Sequence, residues 1–394
     1  GIILRLIDHP YIQRLRRIRQ LGLGYLVFPA AEHSRFSHAL GALELAKRVL
    51  NNLLEKDTTI TKKEYEGTLI AILLHDVGHG PLSHTLEHSL IKDFNHEMMS
   101  LTIMKELNQE FKGELDTAIA IFTNQYKKKF LHQLISSQLD LDRLDYLSRD
   151  SFFTGVSEGR IGINRILKTM RVHKGNIVIE KKGIYAIENY IIARRLMYMQ
   201  VYLHKTVLSA DALIRSVFKR VRDLLDSGQH LDFASESLRF FMEDQPSAKK
   251  QITKKMMQAY TSLDDYDIYL NIKFWTQSND KILAELCTRF LNRSLFRTTF
   301  FENQPTNKEQ EEIHRQTKLS LKKLGLPYGD EAASYFYSFD QSYSEAYKYQ
   351  NESIWILEDE NAVEFSKAAD TKNIIALTEP VVKNYCVHLK EIKI

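Results

Sequence analysis

The sequence predicts a mainly α-helical protein that contains one short β-hairpin and ends in a small α+β unit. Glycine (16 residues) and proline (7 residues) are scarce, and 44% of the residues are hydrophobic. Long stretches repeat apolar residues at the intervals of one face of an α-helix. From about residue 297 short β-type runs alternate with helical stretches. We therefore expect a helical body over residues 1–296 and a C-terminal accessory unit over residues 297–394.

Several stretches in the first part of the chain have helical spacing. They cover residues 8–22, 37–54, 84–90, 97–107 and 136–147. The first is expected to end at Gly22, because glycine commonly terminates a helix. It contains the basic run RLRRIR, which indicates either a solvated helix face or an anion-facing surface.

The apolar run over residues 69–74 predicts a buried helix. This helix would deliver His75 and Asp76 to its end, since Gly78, Gly80 and Pro81 follow and break the helical pattern. Adjacent residues on a helix point about 100° apart, so the two side chains cannot both simply enter the core. At a helix end, however, both can reach one ion.

The texture changes near Gly175. NIVIE, KKG and IYAI predict a hairpin with Lys182 and Gly183 in its turn, followed by a long helix from about residue 188 to 225. In the accessory unit a helix is predicted over residues 309–324. The strands predicted there cover residues 298–302, 353–358, 373–378 and 386–392.

Charge, cysteine content and hydropathy narrow the class of protein. The net charge of +4 is too small to indicate a nucleic-acid partner by itself, and no run of eighteen apolar residues predicts a membrane span. Cys287 and Cys386 are far apart and form no CxxC pair. We therefore expect a reduced, cytoplasmic protein that neither enters a membrane nor binds nucleic acid.

Histidine and aspartate are concentrated in a few ordered motifs. Seven of the fourteen histidines lie between His33 and His96. The motifs are RFSH (Arg35–His38), LLHDVGHGPLSH (Leu73–His84), NHE (Asn95–Glu97) and the acidic run DLDRLDYLSRD (Asp140–Asp150). Imidazole and carboxylate groups together favour Mn, Fe, Zn, Co or Ni over Ca, with Mg as a further option. The pattern indicates a metallohydrolase.

These motifs resemble the HD-domain phosphohydrolases, and more narrowly the deoxynucleoside triphosphate triphosphohydrolase branch of that superfamily. The resemblance covers about residues 4–211. It includes the run from RLRRIRQ to RFSHALG, the motifs HDVGHGPLSH and DLDRLDYLSRD, and RRLMYMQVYLHKTV over residues 194–207. It implies an HD-domain helical bundle that hydrolyses a dNTP to deoxynucleoside and triphosphate with a divalent metal.

The resemblance also assigns site residues. The metal ligands would be His38, His75, Asp76 and Asp142. Proton transfer and phosphate contact at the reaction centre would fall to His96, His79 and His84. Substrate contacts would come from Gln20, Arg35, Arg143, Tyr146, Asp150, Arg194, Tyr198, Tyr202 and Lys205. At position 143 the family commonly has lysine, so this chain substitutes a planar fork for a point charge.

Some neighbouring residues are expected to stay outside the chemistry. Asp145 and Arg149 are four apart and predict a helix-surface ion pair. His33 and His88 have no matching role and are expected to be bystanders.

Other functions remain open from the sequence. The chain could be a phosphatase or phosphodiesterase on another nucleotide, although it has no GYP motif and reads HDVGHG instead of HDxxED. It could also be a non-catalytic nucleotide sensor, although such a protein would be expected to have lost a ligand or His96. By resemblance the protein is expected to form a homo-oligomer, either a dimer or a tetramer.

Overall fold

The structure is a computed structural model that describes residues 1–231, 233–249, 251–344, 347, 353–369 and 379–392. The side chains of His84, His88 and Ser89 also lie outside the described part. The strand predicted over residues 373–378 lies outside the described residues.

The fold is mainly α-helical, as predicted. The helices are α1 (Ile2–Ile7), α2 (Pro10–Gln13), α3 (Arg35–Glu55), α4 (Lys62–Leu74), α5 (Ser83–Leu90), α6 (His96–Glu110), α7 (Asp116–Phe122), α8 (Lys129–Gln133), α9 (Leu141–Thr154), α10 (Ile163–Thr169), α11 (Ile184–Met197), α12 (Lys205–Asp226), α13 (Glu236–Glu243), α14 (Lys254–Ser262), α15 (Asp265–Trp275), α16 (Lys281–Leu291), α17 (Asn307–Lys323), α18 (Asp330–Ala333) and α19 (Phe365–Ala368). The strands are β1 (Met170–His173), β2 (Asn176–Glu180), β3 (Arg297–Phe301), β4 (Tyr337–Ser344), β5 (Trp355–Glu358), β6 (Asn361–Glu364) and β7 (Val381–His388).

Helices α3, α4, α7 and α9 form the bundle that holds the histidine motifs. Every residue of α4 from Gly67 to Leu74 is buried. The buried helix predicted from the apolar run over residues 69–74 is therefore confirmed. His75 follows it directly as the helix C-cap.

The single helix predicted over residues 8–22 is wrong. The segment consists of α2, a 3₁₀ turn at Arg14–Arg17 and an extended stretch in which Arg19 bridges to Ser34. The reason is tertiary. The buried Arg14 guanidinium donates to the Leu263 carbonyl at 2.8 Å, and Arg17 lies 2.5 Å from the Asp264 carboxylate. The basic run thus fastens this segment to the start of α15.

The predicted hairpin is misplaced by one strand. Strand β2 pairs antiparallel with the preceding β1, with Met170 opposite Ile179, and the turn lies at Lys174 and Gly175. The following residues enter α11, because Ile184 and Ile187 recur at helical spacing on its buried side.

The long helix predicted over residues 188–225 is interrupted. It divides into α11 and α12, with a π-helical turn at Tyr198–Tyr202 between them. Such turns inside helices are frequent at functional sites, since the extra residue changes where side chains point.

The β-strands form two sheets. One has the order β3–β7–β4 and is antiparallel, with Arg297 and Tyr337 both opposite His388. The other has the order β1–β2–β5–β6, in which β2 and β5 are parallel and Ile179 lies opposite Ile356. The predicted strands over residues 298–302 and 353–358 and the helix over residues 309–324 are present. No described helix is both long and apolar enough to cross a membrane.

Candidate metal centre

Four predicted ligands converge on one point of the helical bundle. Possible donor atoms of His38, His75, Asp76 and Asp142 all lie within 4.8 Å of one another. They come from three places along the chain: the first turn of α3, the end of α4 and the first turn of α9. The fold therefore brings together ligands that are spread over the sequence from His38 to Asp142.

Helix ends position each of these ligands. Ser34 caps α3, and its hydroxyl accepts from the Ser37 amide, which places His38 in the first turn. Asp140 caps α9 in the same way and places Asp142 there. A tight turn follows His75, because the His79 amide donates to the Asp76 carbonyl at 3.1 Å.

The donor set suits a divalent transition metal. His38 Nε2 lies 3.1 Å from Asp142 Oδ1 and 3.4 Å from His75 Nε2. His75 Nε2 lies 3.4 Å from oxygens of both Asp76 and Asp142. Two imidazole nitrogens and two carboxylates facing one small space match the ligand types of Mn, Fe, Zn, Co or Ni sites that keep coordination positions open. The residues present therefore fit the metal that the motifs predict.

The second nitrogen of each ligand imidazole is already occupied. His38 Nδ1 lies 2.8 Å from Asp145 Oδ2, and His75 Nδ1 lies 2.6 Å from the Ile72 carbonyl oxygen. Such bonds fix the tautomer that leaves Nε2 available to a metal. Each imidazole is therefore oriented before an ion binds.

Asp145 does more than form the predicted surface pair. Its carboxylate does bind Arg149, with both N–O distances 2.8 Å, but it is buried and faces His38. Gly41 makes room for the pair, since a Cβ there would collide with both Asp145 and Arg149. The expectation that this pair lies on the surface is wrong, because α3 and α9 pack closely at this glycine.

Gly78 lets the tight turn that follows His75 pack against α6. A Cβ at this position would collide with the His96 carbonyl oxygen and the Ser100 amide nitrogen. Ser100 also donates to the His75 carbonyl and accepts from the Gly78 amide, at 2.7 and 2.9 Å. Gly78, the first glycine of HDVGHG, therefore supplies both the space and the backbone hydrogen bond that keep the turn against α6.

The electrostatics of the cluster favour a bound cation. Burial lowers the pKa of His38, but the carboxylates of Asp142 and Asp145 outweigh it and raise that pKa to about 10. Burial likewise lowers the pKa of His75, while Asp76 and Asp142 raise it to about 9. The carboxylates therefore stabilise positive charge at this point, whether a proton or a metal ion supplies it.

Arg35 connects the cluster of four proposed metal ligands to the start of α5. Its guanidinium donates to Asp76 Oδ2 at 2.8 Å and to the Ser83 hydroxyl at 2.9 Å. Burial and the Arg35 charge both lower the pKa of His79, which lies 3.4 Å from Asp76 Oδ1. These effects favour the neutral imidazole of His79, which lies beside a carboxylate and a cation.

His79 and His96 stack at the edge of the cluster. Their ring centroids are 3.9 Å apart and the rings are nearly parallel. Glu87 receives two bonds from His96, from the backbone amide at 2.7 Å and from Nδ1 at 3.0 Å. Glu87 was missed from the sequence; the only signal was its position on the helix of His84, whose side chain lies outside the described part.

A cavity of about 940 Å³ opens beside the cluster. Most of the predicted site residues line it: Gln20, Arg35, His75, Asp76, His79, His96, Asp142, Arg143, Tyr146, Asp150, Tyr198 and Tyr202. Its volume lies within the range of small-molecule sites.

Asp150 is held from two sides. Its carboxylate binds His33 Nε2 at 2.7 Å and the Tyr202 hydroxyl at 2.8 Å. His33, expected to be a bystander, is buried and also stacks on Phe153 with ring centroids 4.5 Å apart. It therefore orients a residue of the cavity wall.

Two predicted substrate contacts lie away from the cavity lining. Lys205 is exposed at the start of α12. Arg194 is buried behind the wall, where its charge acts on the phenols of Tyr146 and Tyr190. Neither belongs to the described residues that line the cavity.

Two protein families match consecutive parts of this chain. Residues 35–150 match the HD domain family, and residues 161–259 match the HD associated region. The uncharacterized protein YwfO of Bacillus subtilis is 36% identical over 332 residues, which cover 82% of this chain and 73% of that protein.

Two further relatives carry functional names. A crystal structure of a phosphohydrolase from Bacteroides thetaiotaomicron superimposes with a TM-score of 0.93 at 40% identity, covering 98% of this chain and 95% of that chain. The human deoxynucleoside triphosphate triphosphohydrolase SAMHD1 is 28% identical over 82% of this chain and 56% of its own length.

Proposed function

The chain belongs to the HD-domain phosphohydrolase superfamily, and from that membership we propose that it hydrolyses deoxynucleoside triphosphates to deoxynucleoside and triphosphate. Membership of the superfamily supports a metal-dependent hydrolase. The choice of substrate rests on the cavity and on the branch that the motifs resemble. The observation that carries the proposal is a buried His–Asp cluster beside the Arg143 guanidinium, whose Nε has no partner among the described residues.

His38, His75, Asp76 and Asp142 would hold the metal. A divalent ion bound there would polarise a phosphoryl oxygen and lower the pKa of a coordinated water. The chain contributes the rest: Arg35 holds Asp76 in place, and Asp145 holds His38.

Cations around the cavity support a polyphosphate substrate. Among the described residues, the Nε of Arg143 has no hydrogen-bond partner, whereas its Nη1 donates to both the Asp140 carboxylate and the Ser137 carbonyl. Buried donors without acceptors are rare in proteins. A phosphate oxygen is an acceptor of the right charge for this group.

An aromatic part of the cavity lining supports a nucleoside. Tyr146, Tyr198 and Tyr202 pack edge to face around it, with centroids 5.1 to 6.1 Å apart in successive pairs. Gln20 has a buried side-chain oxygen without a partner among the described residues, and Asp150 faces the same space. An aromatic surface with a few polar groups suits a sugar and a base.

The reaction needs a balanced transfer of one proton. The oxygen of water forms a bond to the α-phosphorus, and the bond between that phosphorus and the 5′ oxygen breaks. The departing 5′ oxygen must gain a proton, and imidazole is suited to supply it near neutral pH. His96, whose Nδ1 is tied to Glu87, is our first candidate for this role, with His79 and His84 as the other predicted members. Assembly into a homo-oligomer, either a dimer or a tetramer, belongs to the same proposal.

The test compares the native chain with Asp76→Asn on a panel of dNTPs and NTPs with added Mn²⁺, and identifies products by ion chromatography. The matched control is Asp359→Asn, an exposed turn residue at φ 53°, a conformation that asparagine also adopts. We expect triphosphate and deoxynucleoside from the native chain and the control, and at least about 100-fold less from Asp76→Asn. Orthophosphate as the product would indicate a phosphatase instead. Tight nucleotide binding without any product would indicate a sensor.

A further inference from the structure

The loop that joins the tight turn after His75 to the first residue of α5 has an unusual backbone. Leu82 has φ 47° and Ser83 has φ 21°. A positive φ is rare for a bulky residue such as leucine, because its Cβ crowds the backbone. Both residues line the cavity. Something outside the loop must therefore hold this conformation.

Asp265, at the first position of α15, supplies that hold. Its Oδ1 accepts from the Leu82 amide at 3.0 Å, and its Oδ2 accepts from the Arg19 amide at 2.9 Å. The residue is only 1% exposed. One buried carboxylate thus ties together two segments of the cavity wall that are far apart in sequence, one before Gln20 and one before Ser83.

A chain of hydrogen bonds links the Leu82–Ser83 turn to Asp76, one of the proposed metal ligands. The Ser83 hydroxyl, one residue after Leu82, accepts from Arg35 Nε at 2.9 Å, and the other arm of Arg35 donates to Asp76 Oδ2 at 2.8 Å. The direction in which Arg35 presents its charge to the cavity therefore depends on where the loop holds Ser83.

We infer that Asp265 is a positioning residue: it fixes the Leu82–Ser83 turn and thereby orients Arg35 toward the phosphates of the substrate. An asparagine at this position would leave one of the two amides facing an N–H group, so either the loop or the Arg19 segment would lose its acceptor. The inference rests on the proposed function only in taking the ligand of Arg35 to be a polyphosphate.

A double-mutant cycle on phosphate binding tests the inference. Affinity for inorganic tripolyphosphate is measured by calorimetry with Mn²⁺ for the native chain, Asp265→Asn, Ser83→Ala and the double variant. We expect each single change to weaken binding about tenfold or more, and the double variant to be little weaker than either. Two side chains that weakened binding by independent routes would give additive losses. Additive losses, or no loss in Asp265→Asn, would overturn the inference.

The control is Asp264→Asn, the same substitution one residue earlier. Asp264 is also buried and also binds the N-terminal segment, through Arg17, but none of its hydrogen bonds among the described residues goes to that loop. Equal weakening in Asp264→Asn would contradict the inference. Should Asp265→Asn not fold, Asp265→Glu, which keeps two acceptor oxygens at a shifted position, replaces it in the cycle.

Turnover separates this inference from the proposed function. If the native chain hydrolyses no nucleotide, the proposed function fails, but tripolyphosphate binding still decides the role of Asp265. If it does hydrolyse dNTPs, we expect kcat/KM of Asp265→Asn to fall about tenfold or more while the control keeps the native value.

Discussion

His38 uses both ring nitrogens, one toward the metal cluster and one toward Asp145. Since Asp145 is itself held by Arg149, two residues of α9 determine the orientation of a ligand on α3. Removing such an outer partner commonly costs 10- to 100-fold in metal affinity while leaving the ligands in place. The strength of the site therefore depends on residues that never touch the ion.

The first prediction concerns this partner. Asp145→Asn keeps an acceptor for His38 but removes the negative charge, so we expect Mn²⁺ to bind about 10- to 100-fold more weakly. The measurement is calorimetric titration of metal-stripped protein. Glu44→Gln, an exposed carboxylate on the same helix as His38, is the control and should bind as the native chain does. Unchanged affinity in Asp145→Asn would show that His38 needs no outer support.

At the scale of residues, the motifs single out the groups that the fold brings together, but not the groups that hold them. The four predicted ligands are named by short patterns around His38, His75 and Asp142. Asp145, Glu87 and Asp265 act through partners that no local pattern connects, such as the Asp265–Leu82 bond. Their roles stayed hidden because a hydrogen bond between distant segments leaves no periodicity in the sequence.

Helix α4, which delivers His75 and Asp76, is fastened at its other end by a capping box. Thr61 and Glu64 bind each other's backbone amides, and Glu64 also receives Lys128 Nζ at 2.7 Å and the Tyr126 hydroxyl at 3.0 Å. Burial raises the pKa of Glu64, but Lys128 and the other donors outweigh it and lower that pKa to about 2. The start of the metal-bearing helix thus depends on an ionised carboxylate.

The second prediction follows from that pKa. A group whose pKa is lower in the folded chain than its ordinary 4.5 stabilises the fold above pH 4.5, and this stabilisation disappears as the pH falls toward 2. We expect Glu64→Gln to lower the free energy of unfolding by about 2–3 kcal/mol at pH 7, and by progressively less between pH 4.5 and 2. Urea unfolding across this range measures the difference. The control is Glu66→Gln on the same helix. A difference that does not depend on pH would contradict the prediction.

Among the elements, the sequence predicts individual helices such as α4 and α17, but not the places where the chain breaks between elements or where β7 begins and ends. The buried run of α4 and the spacing of α17 are properties of single elements, so the sequence predicts them. The break of α2 at Arg14 depends instead on carbonyl groups beyond residue 259. The misplaced hairpin has the same origin, because Ile184 and Ile187 fit either a strand or a helix until their packing partners are known.

Over the whole molecule, Arg220 on α12 joins the helical body to the C-terminal part. Its guanidinium binds Asp280 at 2.7 Å and Glu331 at 2.9 Å and also contacts the Tyr335 hydroxyl. Arg215 on the same helix reaches Asp340 at 3.5 Å, but this second pair is largely exposed. The two arginines therefore span the same junction with very different access to water.

The third prediction uses this contrast. We expect Arg220→Met to lower the free energy of unfolding by about 1–3 kcal/mol, because Asp280 would remain partly buried without its cation. Arg215→Met should cost no more than about 1 kcal/mol, as exposed pairs do, and its effect should vanish in high salt. Urea unfolding at low and high ionic strength measures both. Equal losses from the two variants would contradict the assignment of the junction to Arg220.

At this scale the sequence predicts the class of fold and the change of texture near residue 297, but not how the parts connect. The pairing of β2 with β5 joins a predicted hairpin of the helical body to a predicted strand of the accessory unit. Neither strand's pattern names its partner, since parallel pairing between distant segments is decided by the packing of everything between them.

That parallel pairing has a consequence for synthesis on the ribosome. The four proposed metal ligands precede strand β2 in the sequence and leave the ribosome before it, whereas β5 is translated near the end of the chain. At about 5–20 residues per second, the outer edge of β2 waits roughly 10–35 seconds for its partner. An unpaired edge invites association with other nascent chains, and the lysines at 181 and 182 directly after β2 provide the kind of charge that discourages it. All four proposed metal ligands therefore leave the ribosome long before this sheet can be completed.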